Sequence, residues 1–187
     1  ESTSSSAFET IKVLELKTDD LKSVTVTNEN GTFKLYSVTE TAESSDSSAS
    51  EATQEVNWYL DGYEKDVINT TLVKNIVSGA AAVDAVREIT AKSAAECGLE
   101  NPAVKADIVT NDGAELSVLI GGESPDGTGV YIKLSTDDKI YIAEDSVKEV
   151  FDFDALSLAK TEAVPGITVT DAMKTSYTDD NGALTSF

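Results

Sequence analysis

The residues of this 187-residue chain whose types and spacing could do chemistry fall into four groups. In the run Gly121, Gly122, Glu123, Ser124, Pro125, Asp126, Gly127, Thr128, Gly129, the glycines at 122 and 127 have the spacing of a phosphate loop, whose backbone amides cradle an anion. Thr128 stands where such a loop carries its lysine, strands flank the run, and Glu123 and Asp126 repel phosphate, so a hairpin loop is expected. The acidic pairs Asp137-Asp138 and Asp179-Asp180 offer hard oxygens for calcium, but neither has the spaced ligands of an EF-hand, and Asp is a common turn residue. Cys97 could be a nucleophile, yet the chain has no histidine to activate it, and Glu96 and Glu100 raise the thiol pKa. A small buried hydrophobe is the expectation. Trp58 and Tyr59 could form a recognition surface, although paired aromatics on a strand usually serve the core. No Ser-x-x-Lys catalytic context stands out. The sequons Asn30-Gly31-Thr32 and Asn69-Thr70-Thr71 have meaning only where the source glycosylates.

Composition narrows the function classes further. The chain carries 34 acidic and 14 basic residues, a net charge of −20, with a pI near 4.1. Its lysines and arginines are scattered singly, so it has no basic stripe for phosphates and is repelled by nucleic acid and anionic lipid. The missing histidine counts against hydrolases and zinc enzymes, and no cofactor is expected. The carboxylates read as a solvated face. A hydrophobic content of 40 % supports one ordinary core, and the single cysteine excludes an intrachain disulfide. The longest apolar stretch, 77–83, is broken by Ser78 and Gly79 and is too short to cross a bilayer.

The elements that must position these residues follow from period and punctuation. Residues 11–16 alternate as a strand, and 23–27 and 32–38 form a hairpin across Asn28, Glu29, Asn30 and Gly31, the last two tolerating positive φ. Residues 37–55 make a Ser/Thr-rich loop, and order returns in a strand around Trp58 that ends at Asp61-Gly62. Ile68, Leu72, Val73, Ile76 and Val77 share one face of a helix over 66–78, with Gly79 as its left-handed stop. The stretch 81–90 fits a helix or a strand equally. Ser93 and Glu96 form a capping box for a short helix; Gly98 terminates it, Leu99 folds back on it and Pro102 prevents its continuation. Four strands follow at 103–110, 114–121, 129–135 and 139–143, and a second capping box, Ser146 with Glu149, begins a short helix through Phe151. Gly166 to Thr170, with the polar turn 179–182, echoes the opening hairpin.

These elements predict an α+β fold: a largely antiparallel, hairpin-built sheet with one main helix packed on a face and two short capped helices. Residues 1–10 form a polar tether, 11–160 the α+β domain, and 161–187 either the start of a second hairpin unit or C-terminal strands. The chain opens on Glu1 and a serine run, which raises the expectation of a secretion signal or membrane anchor upstream.

The order of these motifs is recognisable. A hairpin, the Trp58 strand and a helix precede Gly98-Leu99 with Pro102. Two strands then end at Ile120-Gly121, followed by Gly129-Val130-Tyr131-Ile132 and Ile140-Tyr141-Ile142. Over about Leu14 to Leu158 this resembles the bacterial family catalogued as domain of unknown function 4340. Cys97, where the family often has an aromatic residue, and the long serine-rich loop are departures. The resemblance implies an extracytoplasmic protein held by one N-terminal membrane segment, often encoded near ABC-type export systems related to gliding-motility transporters, and it implies no catalytic residues. The expected function is therefore a non-enzymatic accessory domain whose partners are proteins at the membrane, transporter subunits among them. A small-solute or calcium-binding module is the alternative.

Overall fold

The computed structural model describes residues 10–41 and 54–159, together with two short strands near the C-terminus. Its first long strands, β2 (Leu21–Asn28) and β3 (Gly31–Thr41), form the expected hairpin: Val24 faces Leu35 and Val26 faces Phe33 across the ladder, and all four are buried on one face. The turn differs from expectation. Only Gly31 takes a positive φ, +129°, while the Asn30 N–H is held by Asn28 Oδ1 at 2.8 Å.

β3 and β4 (Gln54–Leu60) pair without a register shift as far as Thr41 and Gln54. The loop expected over 37–55 is thus shorter at both ends, because alternating Ser and Thr are β-compatible and Glu40 gathers side chains from the neighbouring strand. Residues 42–53 lie outside the described residues.

The helix α1 runs Thr70–Ala81, later than the expected 66–78. Its start is set by Asn69, whose side chain accepts from the Leu72 N–H at 3.3 Å. Ile68 precedes it and is buried in extended backbone bridged to Ala159. Gly79 is not the stop. It lies inside the helix, where a Cβ would meet Val150 Cγ1 at 2.5 Å, so this glycine permits close packing. The helix ends as the chain extends into β5 (Ala82–Ala85). Val86 donates to the Ile142 carbonyl at 2.7 Å, and β6 (Arg87–Ile89) follows, so the ambiguous stretch 81–90 is mostly strand.

β7 (Val104–Thr110), β8 (Glu115–Glu123), β9 (Val130–Leu134) and β10 (Ile140–Ala143) match the four expected strands closely. Together they complete an eight-stranded antiparallel sheet, in the order β4-β3-β2-β7-β8-β9-β10-β6. β1 (Ile11–Glu15) pairs with β5 in a separate two-stranded sheet. The fold is therefore α+β, mostly antiparallel strands with one main helix. Val73, Ile76, Val77 and Ala80 of α1 pack with Val24, Leu35, Leu60, Ile108, Ile120 and Ile132 in the principal core.

The two expected short helices are reduced. Residues 93–98 form one hydrogen-bonded turn. The second is α2 (Ser146–Glu149), whose N-cap is Asp145, with no side-chain cap bond, so Ser146 does not cap it. Near the C-terminus, β11 (Ser176–Thr178) and β12 (Leu184–Ser186) pair antiparallel on either side of the polar turn expected at 179–182. The Gly166 to Thr170 segment of the expected echo lies outside the described residues.

Candidate functional site

The most sequence-specific stretch, Gly98 through Tyr141, builds a second and smaller core on the face of the sheet opposite α1. Cys97, Leu99, Tyr131, Ile140 and Ile142 are buried there together. Strand alternation explains the division: Val130, Ile132 and Leu134 of β9 enter the principal core, and Tyr131 between them points the other way. Tyr141 accordingly belongs to the principal core, apart from Tyr131, although the two motifs look alike in sequence.

The lid of this second core is the turn at 93–98. The Ser93 N–H and hydroxyl both donate to Glu96 Oε2, at 2.9 and 2.8 Å, and these bonds hold the Glu96 carboxyl below the usual glutamate range. Leu99 N–H reaches back to the Ala94 carbonyl at 2.8 Å and Gly98 N–H to Ala95 at 3.1 Å, the two bonds of a Schellman motif, with Gly98 at φ +71°. The turn is then fastened to β8. Gly122 N–H donates to the Cys97 carbonyl at 2.9 Å, and a Cβ on Gly121 would stand 2.1 Å from that same oxygen. Gly98 and Gly121, distant in sequence, thus meet at one backbone contact. Pro102 sits beyond it, half-buried, ahead of β7.

Cys97 lies at the centre of this lid, 1 % exposed, and burial pushes its thiol pKa up. A thiol held neutral in an apolar pocket is a packing group, as the sequence suggested. Lys92 closes the pocket from outside, donating to the Tyr131 hydroxyl at 2.7 Å with its ammonium 5.0 Å from that ring's centre. The Tyr131 bond raises the Lys92 pKa. This pair had no signal in the sequence, because Lys92 and Tyr131 share no motif.

The glycine-rich loop is a self-contained hairpin connection. Asp126 Oδ1 accepts from the hydroxyls of Ser124 at 2.6 Å and Thr128 at 2.7 Å, and Arg87 pairs with Oδ2. The Ser124 bond, with those of Thr128 and Arg87, holds the Asp126 carboxyl far below the usual range. The amides that a phosphate loop would offer are used internally: Ser124 N–H donates to Gly129, Gly127 N–H to Ser124, and Thr128 N–H to the Ser124 hydroxyl. Gly129, at φ +149°, lies so close to the Ala143 carbonyl that no Cβ fits.

The acidic turn at 137–138 is engaged in the same way. Asp137 accepts from the Lys139 N–H and from the Tyr141 hydroxyl, each at 3.1 Å, and Asp138 pairs with Lys133. Burial, before that hydrogen bond, raises the Tyr141 pKa. Among the described residues no group of three potential metal ligands occurs. Asp179-Asp180 lies outside them.

Trp58 and Tyr59 are both buried, on opposite faces of β4. Both join the principal core, Tyr59 packing beside Tyr36 with ring centres 5.8 Å apart. Around Tyr59 lies a polar cluster that no sequence motif announced. Its hydroxyl donates to Glu40 Oε1 at 3.0 Å, Asn57 donates to Oε2 at 3.3 Å, and Lys65 pairs with the same carboxylate. The Lys65 hydrogen bond lowers the Glu40 pKa and raises that of Lys65. Two clefts open to solvent lie among the described residues. One of about 460 Å³ lies between β5 and α2, with Asp84, Glu144 and Ser146 on its walls, and another of about 510 Å³ lies beside Pro102 and Lys105.

A family model described as Domain of unknown function (DUF4340) matches residues 58–183, more than half of the chain. The match begins at Trp58, so it takes in α1, the turn at 93–98 and β7 to β10 and leaves out the opening hairpin. No curated protein and no solved structure matches the chain.

Proposed function

The chain belongs to the DUF4340 family, and from that premise we propose that it is a non-catalytic accessory domain, working outside the cytoplasmic membrane with protein partners there. Its support is the use to which the family-matched stretch puts its distinctive residues. Gly98 and Gly121 form a backbone lock, Leu99 and Tyr131 fill the second core, and Asp126 and Asp137 organise turns. Side chains committed to shaping backbone make a rigid scaffold suited to presenting surfaces. The net charge of −20 favours protein partners over nucleic acid or an anionic bilayer. In this reading a membrane segment tethers the domain, and subunits of an ABC-type transporter are its partners.

Fractionation and protease accessibility in the source cells test the placement. Exposure of the domain to protease added outside the intact inner membrane is expected, and recovery as a protected cytoplasmic protein overturns the reading. Crosslinking followed by purification under membrane-solubilising conditions tests the partners. Transporter subunits are expected among the crosslinked species, and their absence from every crosslinked product removes the transporter assignment.

A further inference from the structure

One long edge of the eight-stranded sheet has no partner among the described residues. Asp61 N–H donates to the Lys34 carbonyl at 2.9 Å, and the β3–β4 register runs on from Leu35 opposite Leu60 without a shift. Antiparallel ladders alternate hydrogen-bonded and non-hydrogen-bonded pairs. Tyr59, Asn57 and Glu55 therefore turn their backbone groups toward β3, and Val56 and Trp58 turn theirs outward. β4 is the terminal strand, and no described residue bonds those outward groups of Val56 and Trp58.

Edges of this kind are normally blunted by shortness, charged side chains (lysine above all), proline or a bulge, and of these β4 has only the single charge of Glu55. β6, the opposite edge, is three residues long, and its Arg87 and Glu88 are paired with Asp126 and Lys139. β4 is seven residues long, with no lysine, no proline and no shift against β3. Its side chains also leave a charge unanswered. Glu55 faces Glu40 directly across the ladder, and the Glu40 carboxylate is already taken by Lys65, Tyr59 and Asn57. Glu55 is exposed and forms no ion pair among the described residues. The Lys65 ammonium stands 4.4 Å from the centre of the Tyr59 ring, on the face of the sheet that Glu55 shares.

The strand that answers both needs is β4 itself. Turned about a two-fold axis at Asn57, an antiparallel second copy sets Glu55 of each chain opposite Tyr59 and Lys65 of the other. Val56 then meets Trp58 through the outward backbone groups, and Asn57 meets its own counterpart. We propose that β4 is a homodimer edge, joining two copies of this chain into one continuous sheet by isologous strand pairing. This inference goes beyond the accessory-domain reading and stands without it.

Sedimentation equilibrium of the full chain over a concentration series should show a dimer. Val56→Pro removes one outward N–H and nothing from the β3 ladder, so it should abolish the dimer while leaving the circular dichroism spectrum intact. Glu55→Lys, which sets like charges together, should raise the dimer dissociation constant about tenfold or more. In a non-hydrogen-bonded pair the Cα atoms lie about 4.5 Å apart, within disulfide reach. Asn57→Cys should therefore crosslink to its counterpart on mild oxidation, Cys97 being buried, whereas Glu55→Cys should not, since its neighbour is Tyr59. If Val56→Pro fails to fold, the two cysteine variants decide. A monomer at every concentration, a folded Val56→Pro variant that still dimerises, crosslinking at 55 as readily as at 57, or a different protein strand seated on β4 each overturns the proposal.

Discussion

The two ends of the large sheet solve different problems. At the β8–β9–β10–β6 end both faces are covered, the inner by the principal core and the outer by the 93–98 turn with Cys97 and Leu99. At the β3–β2–β7 end no second core lies on the outer face, which presents Thr25, Thr27, Lys34, Lys105 and Asp107. The covered end achieves its closeness through backbone against backbone, which is why it needs glycine at 121 and 129. The open end has no such constraint. It is held by cross-strand pairs such as the Ser117 hydroxyl on Asp107 and Thr27 beside Thr32. Sensitivity to substitution should therefore be concentrated at one end.

The contrast can be broken most directly at Gly121. Gly121→Ala drives a Cβ into the Cys97 carbonyl and should cost about 3 kcal/mol in urea unfolding. Gly122→Ala, whose Cβ would lie 3.9 Å from the same oxygen, should cost far less. Leu99→Ala empties the second core and should cost about 2–3 kcal/mol. Tyr131→Phe, which removes only the hydroxyl that Lys92 bonds, should cost about 1 kcal/mol by the same measurement. Thr27→Val on the open face should stay within about 0.5 kcal/mol, and an effect as large as that of Leu99→Ala would erase the distinction between the ends.

Acid titration sharpens the comparison on the open side. The Glu40 pKa is depressed by Lys65, so its contribution to stability is complete above the ordinary glutamate value of 4.5 and is lost as pH falls from there through the lower folded value. Glu40→Gln should flatten this acid-side decline slightly, because the group is exposed and solvent screens it. Melting curves of the two proteins across that window provide the check. The smallest expected effect is that of calcium: with Asp137 and Asp138 bound to the fold's own donors, adding calcium should leave the melting temperature unchanged. A clear rise would reinstate a cation-binding role.

Where interactions are local, the sequence was legible. The strands from 104 to 143, the Ser93–Glu96 box and the Gly98 stop all follow from alternation, turn residues and capping, and they stand close to where those signals put them. The misplaced features were those in which a distant residue outweighs a local preference. Gly79 has the type of a helix stop, but Val150 across the packing interface makes it a helix-interior glycine. Ile68 lies in phase with the helical stripe, yet its bridge to Ala159 keeps it extended. Ser146 has capping-box spacing but is the first helical residue.

By itself, then, the amino-acid order determined the fold class, the opening hairpin, the four strands between 104 and 143 and the absence of the histidine chemistry that many enzymes use, because period, charge and composition act over a few residues or over the whole chain. Only the tertiary structure decided that Gly98 meets Gly121, that Tyr131 and Tyr141 serve opposite cores, and that Glu40, Tyr59 and Lys65 form one cluster. Those contacts depend on strand order and register across the sheet, which place residues far apart in the chain side by side and leave no local trace.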